Sequence, residues 1–451
     1  MKKTFLLSCL MLAAMPVMAA YTGHVYVDKN KNGVFDQSEK PLAGIKVSDG
    51  LNVVETAADG SFTLPGHERE RFIFITTPSG YKTFNRHYHK IEKKQSGYDF
   101  GLIPYSGRIR KNGSHRYIHI ADTEIFNTEN HADWVNNVRD YARNEQAAFI
   151  IHTGDICYEK GLKAHIKLMN TENMDCPVFY CIGNHDLVKG KYGEELFESI
   201  YGPVYYSFDA GNVHYVVTPM PGGDHAPGYT SDDVCRWLKN DLAHIRPGTP
   251  VVVFNHDLLT YEDTFIFKSK NAGSINLNEY NLKAWVYGHW HINYMKKQGD
   301  VYSVCTSSLD KGGIDHSTTA FRVMHVDSKG DFTSELRYTY LDKNICIASP
   351  AGVMASGVLP VAVNVYSSVS PVREVLYTCL ADGKPVLKNK RLLQSTDWSW
   401  NGELPLSHKY VGKELTLRVT ARFNNGEIAE AESHFICRTE KAVPLFSADW
   451  G

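Results

Sequence analysis

The chain has almost no net charge, no long apolar run beyond its first twenty residues, no internal repeat and no low-complexity tract. Its 48 Lys and Arg against 50 Asp and Glu leave a formal charge of −2, which carries no nucleic-acid footprint. The densest basic cluster, Lys388-Asn389-Lys390-Arg391, is short enough to be a solvated turn. A membrane-spanning helix needs about 20 consecutive apolar residues, so no transmembrane segment is expected in the mature chain. There is no strained-turn serine motif of the nucleophile-elbow kind, and no Cys-His nucleophile arrangement accompanies Cys157. A serine or cysteine hydrolase is therefore set aside.

What is present begins with an export signal. Lys2-Lys3 form a positive start, Thr4 to Met18 an apolar stretch, and Val17-Met18-Ala19 a small-residue cleavage site, so residues 1–20 read as a signal peptide. The expected compartment is periplasmic or extracellular. Leu6-Leu7-Ser8-Cys9 faintly resembles a lipoprotein signal, but the apolar stretch before Cys9 is too short, which argues against lipidation. Loss of Cys9 leaves eight cysteines, an even number that an oxidising compartment could pair. Connectivity cannot be read from sequence, and buried free thiols are the alternative. The 43% hydrophobic and 12% aromatic content is ample for packed cores, and 451 residues imply two or three domains. Nothing in the sequence sets an oligomeric state.

Three regions follow from the patterning. Residues 21–108 alternate apolar and polar, as in Val25-Tyr26-Val27, Ser61-Phe62-Thr63-Leu64 and Arg71-Phe72-Ile73-Phe74-Ile75, and Asp59-Gly60 is a hairpin signal. A small β-sandwich is expected there. Residues 113–325 alternate strands with helical patterns such as Ala132 to Asn144 and Asp232 to His244. Residues 350–440 return to short strands, a second β module entered through a linker from Ser349 to Pro360.

The first module carries a calcium-loop pattern, D-x-[DN]-x-[DN]-G-x5-E, in full register. Asp28, Asn30 and Asn32 would supply side-chain oxygens and Gly33 the turn. Val34 would give a carbonyl, Asp36 a direct or water-mediated contact, and Glu39 both carboxylate oxygens. An Asx-rich turn without metal is the alternative.

The middle region carries the chemistry. Five apolar runs end in polar clusters: Asp122-Thr123-Glu124, Gly154-Asp155, Gly183-Asn184-His185-Asp186, Asn255-His256 and Gly288-His289-Trp290-His291. Carboxylate, amide oxygen and imidazole are donors that hard or borderline divalent metals accept. Short apolar runs bounded by Gly and polar residues read as buried strands, and ligands gather beyond the carboxyl ends of such strands. The five clusters should therefore converge. His119, His152 and His214 lie within strands and read as core or face histidines. His225, in the loop Pro221-Gly222-Gly223-Asp224-His225, reads as solvated.

The ordered run Asp…Gly-Asp…Gly-Asn-His-Asp…His…Gly-His-x-His resembles the calcineurin-like metallophosphoesterases. So does the segment from Tyr201 to Val217, which is similar to a hairpin common in that family. The resemblance implies an α/β fold: a central sandwich of two mixed β-sheets flanked by helices, here with an all-β module on each side. It also implies a phosphoester substrate, hydrolysed by a bridging hydroxide on two divalent ions (Mn, Fe, Zn or Mg). One ion would take Asp122, Asp155, His291 and Glu124, and the other Asp155, Asn184, His256 and His289. His185 matches the family's charge-stabilising and proton-donating histidine, with Asp186 expected to orient its ring. The chain departs from the family at Glu124, where a histidine is usual. A carboxylate there favours the harder Mn²⁺ or Mg²⁺, with Mn²⁺ the expectation; the alternative is that its length misplaces it, so that the first ion binds weakly and activity is reduced or lost. The rival reading is a non-catalytic surface-binding protein built on a degenerate metal core.

Overall fold

A computed structural model of the chain describes residues 20–314, 317–341 and 343–439. Residues 1–19 of the expected signal peptide lie outside these residues. The strands of the middle region are short and apolar on both faces because both faces are covered. Phe149–His152 and Val251–Phe254 are buried at every position.

Two mixed sheets result. The first runs Val178–Tyr180, Phe149–His152, His115–Ile120, Ala320–Val326, Phe332–Tyr338, with its first three strands parallel. The second runs Tyr206–Ala210, Val213–Val217, Val251–Phe254, Leu282–Tyr287, Val301–Cys305, Tyr294–Gln298, with four parallel strands at its centre. Aromatic rings fill the space between them. Tyr117 and Phe149 of the first sheet stack at 4.7 Å, Tyr215 and Phe254 of the second at 5.5 Å, and Phe149 meets Tyr215 edge-on at 5.0 Å. Such pairs add roughly 0.5–1.5 kcal/mol each beyond the area they bury.

Helices cover the outer faces. Ala132–Asn144 buries Trp134, Val135, Val138 and Ala142, a stripe at helical spacing, and these join the cluster with Ile118, Ile120 and Ile150 of the first sheet. Ser231–Ala243 starts at a capping box, in which the Thr230 hydroxyl accepts from the Asp233 amide at 3.2 Å and the Asp233 carboxylate accepts from the Thr230 amide at 2.9 Å. Its buried face carries Trp237, Leu238 and Leu242 into the core of the second sheet.

All-β regions lie on either side. Before the core, Tyr21–Val27, Ser61–Leu64 and Phe100–Pro104 share one sheet, and Lys46–Ser48, Val53–Glu55, Phe72–Ile75 and Tyr88–Lys90 form another. Asp59-Gly60 does make a tight turn, but its flanking strands do not pair with each other. Val53–Glu55 pairs with Lys46–Ser48, and Ser61–Leu64 with Tyr21–Val27, so the turn carries the chain between sheets. After the core, two further sheets enclose Val361, Val363, Val375, Leu417, Val419 and Phe435. The stretch read as a linker holds the strand Gly352–Ala355 and the start of Val358–Ser367. All eight described cysteines are free thiols, and only Cys346 is exposed. Among the described residues no helix is long and apolar enough to cross a membrane.

Candidate metal centre

Parallel strands within each sheet end at the same edge, so the residues just past their carboxyl ends meet there. Asp122 lies beyond His115–Ile120, Asp155 beyond Phe149–His152, Asn184 beyond Val178–Tyr180, His256 beyond Val251–Phe254, and His289 and His291 beyond Leu282–Tyr287. The backbone turns sharply at these points. Asp122, Glu124, Asp155, His289 and His291 have φ of 51°, 45°, 55°, 65° and 49°. Left-handed geometry at non-glycine residues costs about 1 kcal/mol or more each and is tolerated where surroundings impose it, typically at functional sites. The neighbouring glycines make room. A Cβ on Gly183 would lie 2.2 Å from Asp155 Oδ1, and one on Gly288 would lie 2.7 Å from Asp122 Oδ2.

The side chains fall into two groups that share one member. His256 Nε2 is 3.1 Å from Asp155 Oδ2 and 3.1 Å from Asn184 Oδ1, and donor atoms of Asp155, His256 and His289 lie within 4.8 Å of one another. In the second group His291 Nε2 is 3.5 Å from Asp122 Oδ1 and 3.3 Å from Glu124 Oε1. Donor atoms of Glu124, Asp155 and Cys157 also lie within 4.8 Å of one another. Asp155 thus reaches both groups. The Cys157 thiol is pushed up by burial and by the charge of Asp155, and stays protonated.

The field here is strongly negative. Burial opposes the charging of His256, yet Asp155 and Asp122 lift it to about 9. Hydrogen bonds to Asp122 and Glu124 lift His291 to about 10. Glu124 is held down at about 2 by its bond to His291 and, against the effect of burial, by Lys311, whose Nζ is 2.7 Å from Oε2. The donor set fits divalent cations, since binding displaces exactly such protons from imidazoles held against carboxylates. His256 is oriented for it: its Nδ1–H donates to the Thr153 carbonyl at 2.7 Å, which leaves Nε2 as the donor atom.

His185 also lies at this edge, and its amide donates to Asp155 Oδ1 at 3.0 Å. Its ring partner is not the expected Asp186. Both Asp186 oxygens accept backbone amides, from Cys157 at 2.8 Å and Gly183 at 2.9 Å, and burial beside Asp155 pushes this carboxyl up to about 7. The ring instead gives its Nδ1–H to Asp224 Oδ2 at 2.8 Å, and this bond raises its pKa against partial burial. Asp224 and Lys311, which bond the candidate residues His185 and Glu124, are partners that sequence reading passed over. The signal for Asp224 was Gly222-Gly223 before it: a Cβ on Gly223 would lie 2.3 Å from the Asn184 carbonyl, so the loop docks on the metal turn. His225 is exposed. His119 and His152 are fully buried and brace the turns through Thr153 at 2.9 Å and Thr123 at 3.0 Å.

In the N-terminal region the residues of the calcium pattern form one closed loop. Asp36 Oδ2 accepts from the Asn30 and Asn32 side-chain amides at 2.7 Å and 3.0 Å. Asp28 accepts from the Asn32 and Gly33 amides, Glu39 from those of Lys29 and Asp36, and Val34 is exposed.

Residues 115–293, which include Asp122, Glu124, Asp155, Asn184, His256, His289 and His291, match the family model described as Calcineurin-like phosphoesterase. Purple acid phosphatase 13 from Arabidopsis thaliana is 26% identical over 215 residues, covering 45% of this chain and 36% of that protein. The chain therefore spans about a third of that relative's length. A conserved uncharacterized protein from Streptococcus pneumoniae, described as a predicted phosphoesterase, covers 50% of this chain and 98% of its own at 10% identity and a TM-score of 0.24. CopC from Methylosinus trichosporium covers 22% of this chain and 99% of its own at 14% identity and a TM-score of 0.18. A second family model, described as N terminal of Calcineurin-like phosphoesterase, matches residues 29–104, so two successive stretches of the chain match the calcineurin-like phosphoesterases, a family of metal-dependent phosphoester hydrolases.

Proposed function

We propose that the protein is an exported phosphoester hydrolase working through two divalent ions, with Mn²⁺ the favoured metal. The observation that supports it is the membership of Asp155 in both donor groups. Asp122, Glu124 and His291 would hold one ion, Asn184, His256 and His289 the other, and Asp155 would serve each. Two such ions, when bound, lower the pKa of a shared water and clamp phosphoryl oxygens for in-line attack. The residues of the chain do the rest. Asp155 and the turn glycines fix the spacing of the two groups. Lys311 offsets one of the negative charges at Glu124. With Nδ1 tied to Asp224, His185 keeps Nε2 as the atom that gives a proton to the departing oxygen.

The test is direct. Protein stripped of metal and reloaded with Mn²⁺ should hydrolyse a nitrophenyl phosphoester, and Asp155→Ala should abolish that activity. A folded, Mn²⁺-loaded wild-type protein inert towards a broad phosphoester panel would instead favour the surface-binding reading. We also read the Asp28–Glu39 loop as a calcium site that stiffens the first module, because Asp28, Asn30, Asn32, Asp36 and Glu39 face one another across it.

A further inference from the structure

Twelve large apolar side chains are exposed among the described residues, and several of them lie at the metal-candidate turns, Phe126, Tyr158 and Ile314 among them. Phe126, 52% exposed, follows Glu124 by two residues, and Tyr158, 44% exposed, follows Asp155 by three. Ile314, 75% exposed, donates its amide to the His291 carbonyl at 3.0 Å. Scattered exposed apolar residues need no explanation, but a group beside a polar site marks a binding surface.

Phe126 and Tyr158 are placed together and held. Their rings lie 6.2 Å apart at an interplanar angle of 16°, and Tyr158 stands 5.3 Å from the ring of His185. Lys311 Nζ, already bonded to Glu124, lies 5.7 Å from the Phe126 ring centroid. The helix Tyr158–Leu168 that carries Tyr158 packs backbone to backbone against the segment that carries Phe126. A Cβ on Gly161 would lie 2.4 Å from the Ile125 carbonyl oxygen, so only glycine permits the approach. Cys157 and Tyr158 are both left-handed, with φ of 76° and 55°. Two successive non-glycine residues in that region are costly, and such strain clusters at active sites and ligand clamps.

We propose that Phe126 and Tyr158 form an aromatic platform for the organic part of the substrate, on the leaving-group side beside His185. The substrates are then phosphoesters that carry a planar aromatic group. This rests on the phosphoester-hydrolase reading and narrows it. A flat ring stacked on this pair gains dispersion and quadrupole contacts that a saturated ring of similar size does not.

The experiment compares phenethyl phosphate with cyclohexylethyl phosphate on the full-length, Mn²⁺-loaded protein. Both release a simple alcohol, so the chemistry of departure is matched. The ratio of their kcat/KM values should favour the aromatic ester by about fivefold. In a Phe126→Ala, Tyr158→Ala double variant with unchanged metal content the ratio should fall to about one, and Tyr158→Phe should keep the wild-type ratio. Equal hydrolysis of both esters by the wild type, or an unchanged ratio in the double variant, overturns the platform while leaving the hydrolase reading intact. Hydrolysis of neither ester removes the hydrolase reading only when the nitrophenyl ester and the broad phosphoester panel are inert as well. The platform is then judged by titration calorimetry with the two matching phosphonates, where equal affinities overturn it. Adenosine monophosphate distinguishes the sources of the ring. Turnover matching phenethyl phosphate assigns a nucleobase and much poorer turnover a simple aryl group, and each supports the proposal if the phenethyl preference holds.

Discussion

His185 is tied to Asp224, thirty-nine residues away, and not to its sequence neighbour Asp186. Consecutive residues of the tight turn Asn184–Asp186 point in different directions, and Asp186 is used up on the amides of Cys157 and Gly183. This makes a prediction about leaving groups. A general acid matters most when the departing oxygen is a poor leaving group, and such proton transfer contributes roughly 10²–10⁴-fold. His185→Ala should therefore slow an alkyl phosphoester severely and a nitrophenyl ester much less, with metal content unchanged. Asp224→Asn should show the same pattern in weaker form. Equal losses on both esters would assign His185 to electrostatic stabilisation or positioning. The residue types of the site were legible in the sequence because each sits in a short polar cluster after an apolar run. Partners from distant loops were not: Lys311 reaches Glu124 across 187 residues, and no local pattern announces it.

At the scale of elements, the middle strands were legible because a doubly covered strand needs an unbroken apolar run, as in Val251–Phe254. Pairing was harder to read. Asp59-Gly60 supplies a turn, but a turn fixes only the reversal of the chain, and the sandwich assigns the strands on either side to different sheets. The loop proposed to bind calcium is the opposite case, since all its candidate donors fall between Asp28 and Glu39 and its register is local. A ligand bound only by the folded loop stabilises it by mass action, by about 2.7 kcal/mol at a hundredfold excess over Kd. Calcium added back to chelated protein should raise the melting temperature of the first module, and Asp28→Ala should remove the response. An unchanged melt with and without calcium would return the segment to an ordinary Asx-rich turn.

At the scale of the whole molecule, the order of the five clusters carried the site, because only their common edge in two facing sheets brings them together. The attachment of the flanking regions was invisible in the sequence. Lys46 of the first module lies 3.4 Å from His214 Nδ1, and His214 bonds Asp209 at 2.7 Å and Asp241 at 2.8 Å. Arg71 adds contacts at 2.8 Å to Glu194 and 2.9 Å to Glu198. On the other side Tyr338 stacks on Tyr366 at 3.7 Å. These pairings join residues far apart in sequence, and no local pattern announces them. They hold the β regions against the core in which we propose that a pair of ions shares Asp155. The most direct measurement is elemental analysis of the purified protein after loading with Mn²⁺. Two ions per chain are expected in the wild type, about one in His256→Ala and none in Asp155→Ala, whereas retention of two ions by Asp155→Ala would contradict the account.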